Sequence, residues 1–123
     1  FLQEDAKLTT KELANRLNLS ATPVYERIKR LENEQVIKKY VALVDREKIG
    51  MNLMVLCNIR LKEHAREAGM GFVQSISAMD EVVECLNISG DYDFMIKVVV
   101  PDMRTYQQFI MNKLASLNNI GST

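Results

Sequence analysis

Histidine occurs once in this 123-residue chain, at His64, and cysteine twice, at Cys57 and Cys85. A lone histidine beside Glu63 reads as a solvated surface residue. Each cysteine lies inside an apolar, strand-like run. Two cysteines without close spacing make neither a metal motif nor a disulfide framework, so both read as buried, reduced thiols. There is no Ser/His/Asp set, no metal-spaced cluster and no glycine-rich loop to cradle phosphate, so neither catalysis nor a metal nor a cofactor is expected. Long apolar runs are also missing. No stretch approaches the length of a membrane span, and Phe1-Leu2-Gln3-Glu4-Asp5 is no signal peptide, which gives a cytoplasmic protein with no membrane partner. Net charge is zero, with 16 basic and 16 acidic residues. The zero hides an asymmetry: residues 1–48 carry ten basic against eight acidic residues, or +2, and residues 49–123 six against eight, or −2. Any polyanion should therefore meet the first part.

Within a hydrophobic content of 47%, ordinary for a globule of one domain or two small units, the most informative stretch is residues 10–40. Leu13, Ala14 and Leu17 form a narrow apolar stripe whose small member lets another helix approach closely. Thr9 or Thr10 can cap its start, and Asn18, tolerant of the left-handed conformation, ends it. Leu19 is expected to plug the corner. Ser20 or Thr22 then caps a second helix with Pro23 in its first turn, where a missing N–H is harmless. Val24, Ile28 and Leu31 fix one face of that helix. The opposite face holds Thr22, Tyr25, Glu26, Lys29 and Asn33, with Arg27 and Arg30 on its flanks. This is how a helix-turn-helix presents a recognition helix to the major groove. Thr22, Tyr25, Glu26 and Lys29 are expected in the groove, and Arg27 and Arg30 on phosphate or guanine. Residues 41–44 read as a small wing strand, before which Lys38 and Lys39 extend the phosphate footprint. The bland alternative is a helical hairpin with a solvated basic face, since residues 16–39 carry six basic against three acidic residues, only +3. Several independent signals agreeing favour DNA.

Beyond a linker at 45–52, residues 53–123 change rhythm. Leu53, Val55, Cys57, Ile59 and Leu61 alternate with polar neighbours, giving a strand over about 52–63. A helical stripe of Ala65, Ala68, Phe72, Val73 and Ile76 follows. Two β-rich runs, 82–89 and 92–100, flank a hairpin signal at Gly90-Asp91. Pro101 and Asp102 stop the strand and open a helix with Met103, Tyr106, Ile110, Leu114 and Leu117 on one face. The order βαββα lacks only a last strand to become a ferredoxin-like sandwich. With Phe1-Leu2 resembling the tail of a helix, the chain reads as trimmed at both ends. On the sheet face away from the helices, Met54, Leu56, Val83, Cys85, Met95 and Val99 are apolar, so a second copy is expected to supply cover. Misread alternation at the strand ends is the other explanation.

The stretch LTTKELANRLNLSATPVYERIKRLENEQVIKKYVALVD, with Gly-Asp-Tyr-Asp-Phe at 90–94, resembles the leucine-responsive regulator (Lrp/AsnC) family of prokaryotic transcription factors. The likeness runs over essentially the whole chain. It implies an α+β protein with a winged helix-turn-helix at residues 1–44 and a ferredoxin-like βαββα(β) domain at 53–123 for oligomerisation and effector binding. The expected function is sequence-specific, two-fold reading of double-stranded DNA by a homodimer or a higher oligomer such as an octamer, responding to a small amino acid. Ser20, Thr22, Pro23, Tyr25, Glu26, Arg27, Lys29, Arg30, Lys38 and Lys39 are the expected DNA-binding residues. The resemblance further points to an effector site at Gly90, Asp91, Tyr92 and Asp93, where Asp91 or Asp93 can meet an ammonium and backbone N–H groups a carboxylate. The same four residues serve equally as a plain hairpin connection. Gln35 departs from the family, which has Gly at the helix exit; it must accept a strained backbone or end the helix differently. The alternatives are a ligand-binding or assembly module and a porphyrin-decarboxylase-like relative of the fold family. For the latter, basic and His residues would have to line a pocket.

Overall fold

Helix α1, Thr10–Leu17, begins with a capping box: Thr9 Oγ1 accepts from the Glu12 N–H at 3.2 Å, and Glu12 Oε2 accepts from the Thr9 N–H at 2.7 Å. It ends on Asn18 in the left-handed conformation, φ 57°. Helix α2 spans Ala21–Asn33 behind Ser20, whose side chain makes no capping bond. The reason lies in Pro23. It occupies the third position of α2 and has no N–H, so a donor that a serine cap commonly takes is absent. Leu13, Ala14 and Val24 form the small core, with Leu2, Leu8 and Ile28 packed against it. The expected stripe narrows here, because Leu17 and Leu19 remain exposed. Residues 1–5 make one turn in which the N–H groups of Glu4 and Asp5 both donate to the Phe1 carbonyl. Gln35 takes the strained option, φ 58°, and closes the α2 exit by donating from Nε2 to the Glu32 carbonyl. The wing strand does not form. Residues 41–44 have neither regular structure nor a pairing strand within the chain, and Leu43 is 97% exposed.

The computed structural model describes all 123 residues, which form two compact units, Phe1–Val44 and Asp45–Thr123. The second opens with an Asx-type turn in which Asp45 Oδ1 accepts from the N–H groups of Glu47 and Lys48. Strands β1 (Leu53–Leu61), β2 (Val82–Asn87) and β3 (Phe94–Val100) then form an antiparallel sheet with β4 (Ile120–Ser122), in the order β2-β3-β1-β4. The closing strand expected to be missing is thus present as three residues beside the end of β1. Helices α3 (Arg66–Ser77) and α4 (Met103–Phe109) cover one face. Cys57, Ile59 and Leu61 of β1 and Phe94, Ile96, Val98 and Val100 of β3 meet Phe72, Ile76, Phe109 and Leu114 in a core of eleven buried residues. Asp102 caps α4, accepting from the Thr105 N–H at 2.8 Å.

Two irregularities alter the expected faces. In β2 a bulge between Val82 and Glu84 reverses the alternation, so Cys85 pairs with Ile96 and packs with the core rather than sharing an outward face with Val83. In the last helical segment the α-helix widens into a π-helical turn, Ile110–Leu114, in which the Ala115 N–H donates to the Ile110 carbonyl. Phe109 and Leu114 are therefore buried five residues apart, while Met103 is exposed. Burial pushes both thiols above their ordinary pKa, so they stay protonated. Cys57 and Cys85 both register with Ile96, from opposite sides, which places them two strand spacings apart, about 9–10 Å and out of disulfide reach.

Candidate nucleic-acid interface and effector loop

Val24 is buried against α1 while Ile28 and Leu31 are half-buried, so the remaining faces of α2 are free. Thr22, Glu26, Arg27, Lys29 and Arg30 are all exposed. Pro23 is half-buried, and the Ser20 hydroxyl, with no cap bond to make, is unengaged. Lys29 is partly committed within the helix: its Nζ lies 5.5 Å from the Tyr25 ring centroid and 3.9 Å from Glu32 Oε1. Tyr25 and Lys29 also line a cleft of 190 Å³ with Leu2, Leu8, Ile28 and Tyr40. Tyr25 thus stands on the flank nearest the N-terminal segment rather than at the centre of the outward face. Arg27, Arg30, Lys38 and Lys39 make no ion pair, and Glu26 makes none either. The two lysines at 38 and 39 are exposed in the irregular segment after α2. An exposed helix with free guanidinium groups beside an open N-terminus has the chemistry of a duplex-reading surface.

The loop between β2 and β3 carries the other candidate residues. Gly90 takes φ 109°, a conformation that disfavours any side chain. Asp91 is exposed and Tyr92 half-buried. Asp93 is engaged: its Oδ2 accepts from the Leu61 N–H at 2.8 Å and its Oδ1 lies 3.1 Å from His64 Nδ1. The Leu61 N–H, helped by His64 and Arg60, holds the Asp93 carboxyl below the usual carboxylate range. Asp93 therefore latches the loop to the end of β1, leaving Asp91 as the carboxylate without a partner. Sequence spacing carries no hint of this latch, because its members stand 32 and 29 residues apart and meet only once β3 pairs with β1. Asp93 and His64 also border a cleft of 910 Å³ whose apolar wall includes Met70, Val73 and Phe94. A lone, exposed His64 hydrogen-bonded to Asp93 does not make the basic, histidine-lined pocket of a porphyrin enzyme.

The chain matches two family models: one for a winged helix-turn-helix DNA-binding domain over residues 1–38, and one for the Lrp/AsnC ligand binding domain over residues 54–123. It is 35% identical over 126 residues to the DNA-binding transcriptional activator DecR of Escherichia coli, covering 100% of this chain and 83% of that protein. It is 34% identical over 122 residues to the leucine-responsive regulatory protein of Klebsiella pneumoniae, covering 99% and 74%. Among solved structures, an AsnC family transcriptional regulator from Agrobacterium tumefaciens superposes with a TM-score of 0.87 at 37% identity, covering 98% of this chain and 78% of the other. A transcriptional regulator from Neisseria meningitidis, solved as a complex with L-Met, does so with a TM-score of 0.88 at 28% identity, with the same coverage. The chain belongs to the Lrp/AsnC family of transcriptional regulators, which pair a helix-turn-helix with a ligand-binding domain and are not enzymes.

Proposed function

We propose that the chain reads duplex DNA through the exposed face of α2, as one half of a two-fold assembly, and that a small amino acid held at the β2–β3 loop tunes that assembly. The observation that carries the first part is the pair of unpartnered guanidinium groups, Arg27 and Arg30, on a helix whose apolar side is committed to α1. In this reading Ser20, Thr22, Glu26, Lys29 and the two arginines meet the groove and its phosphates. Pro23 shapes the helix start, Tyr25 steadies Lys29, and Lys38 and Lys39 lengthen the phosphate track. Two such helices in a dimer would address half-sites about 34 Å apart. The sheet face away from α3 and α4 supports a self-association surface, with Met54, Leu56, Val83 and Leu86 between 40% and 58% exposed. Such a regulator works beside the chromosome, in the cytoplasm.

For the effector, Asp91 supplies the anion for an ammonium group, since Asp93 is already spent on Leu61 and His64. Backbone N–H groups around Gly90 supply donors for the carboxylate. The Neisseria relative's complex with L-Met supports an amino acid as the ligand class. The test measures mass and affinity for duplex DNA with each of the twenty amino acids, for wild type and Asp91→Asn. One or a few amino acids should change both quantities in wild type and neither in the variant. Indifference to all twenty would remove the effector from the account while leaving the DNA reading in place.

A further inference from the structure

Glu26 stands in the middle of the exposed face of α2, and nothing in the structure explains an anion there. It makes no ion pair, although Arg30 lies one turn on at a spacing suited to pairing and Lys29 lies three residues on. Lys29 turns instead to Tyr25 and Glu32. The helix dipole offers Glu26 little, because that benefit is confined to the first turn and Glu26 sits in the second. A free carboxylate on a surface facing phosphates is repelled by every DNA sequence alike. That repulsion is returned only at a base that offers a hydrogen-bond donor.

Resting on the reading of α2 as the DNA-facing helix, we propose that Glu26 is a specificity-determining residue that selects cytosine at one position of each half-site. In the major groove the amino donors are cytosine N4 and adenine N6. Adenine N6 lies between two acceptors, its own N7 and the O4 of the paired thymine, and both repel a carboxylate. Cytosine N4 has an acceptor on one side only, the guanine O6, so a carboxylate approaching from the other side accepts without that penalty. Arg27 and Arg30, unpaired on the flanks of the same helix, supply the phosphate or guanine contacts that hold Glu26 in the groove.

The test is selection of binding sites from a randomised duplex pool with the wild-type chain, Glu26→Gln and Glu26→Ala, followed by affinities for the selected site and for a random duplex. Wild type should enrich cytosine at one position per half-site. Glu26→Gln should move that position to adenine, whose N6 and N7 fit an amide. Glu26→Ala should lose the preference there while binding random duplex more tightly, lowering the ratio of specific to random affinity about 5- to 150-fold. Identical base profiles for all three proteins, with only a uniform rise in affinity in the variants, would overturn the assignment of Glu26 alone. A wild-type chain that enriches no sequence would overturn it together with the DNA reading beneath it.

Discussion

Residues 1–44 bury three side chains, Leu13, Ala14 and Val24, whereas residues 45–123 bury eleven. A core of the first size supplies at most about 3–5 kcal/mol. Local devices must therefore carry much of the first unit: the Thr9–Glu12 capping box, the left-handed stop at Asn18 and the carbonyl closure by Gln35. The second unit rests on a packed sheet and tolerates irregularity, with a bulge in β2 and a π-helical turn after α4. The contrast teaches where substitutions act. Near α1 and α2 a small local loss becomes a loss of the surface proposed to meet DNA; in the sheet the same loss is spread over a larger core.

The largest expected effect is that of Leu13→Ala, which removes a buried side chain at a cost of about 2–5 kcal/mol, as much as the small core supplies. The variant should lose DNA affinity and helical circular dichroism from residues 1–44 while amide protection in β1 and β3 persists. Ile96→Ala, fully buried in β3, carries a similar cost of about 2–5 kcal/mol, but should lower the unfolding midpoint of the sheet and leave exchange in α1 and α2 as in wild type. If either variant unfolded both units together, the separation between them would be wrong.

Thr9→Ala comes next, with a loss of about 1 kcal/mol in the first unit only, seen in urea titration of the helical signal. Gln35→Gly relieves the φ of 58° but deletes the Nε2 bond to the Glu32 carbonyl, worth about 0.5–1.5 kcal/mol, so the two effects offset and the stability of the first unit should move by less than about 1 kcal/mol. The smallest effect concerns pH. Asp93 is held below its ordinary pKa, so the support it gives the loop is complete above about pH 4, the unfolded-chain value, and fades as the pH falls through the lower folded value. The protection of the Leu61 amide, its exchange measured relative to the intrinsic rate at each pH, should fall over that acid window in wild type, and in Asp93→Ala should already be low near neutrality.

Much of the first unit was legible because its signals are local. Threonine before a helical stripe, asparagine at its end and proline inside the next turn each act over three or four residues. The strands of the second unit were legible from alternation, and the Gly90 loop from its dipeptide. What escaped was non-local. The bulge that turned Cys85 inward depends on register against β3, and the three-residue β4 exists only because β1 offers an edge. From sequence, Asp91 and Asp93 are equivalent candidates for meeting an ammonium or for closing a plain hairpin, and nothing local separates them; the contacts that engage both Asp93 oxygens lie about thirty positions away. The run at 41–44 had strand-forming residues and no partner strand within the chain, and composition alone does not make a strand.

If the cations of α2 are the DNA contacts, as proposed, they set how duplex affinity depends on salt. Wild type should show a steep loss of affinity with salt. An Arg27→Ala, Arg30→Ala double variant should bind more weakly, with the slope of log affinity against log salt reduced by about one for each arginine that meets a phosphate. A double variant whose affinity and slope match wild type would contradict the assignment of α2 as the DNA-reading helix.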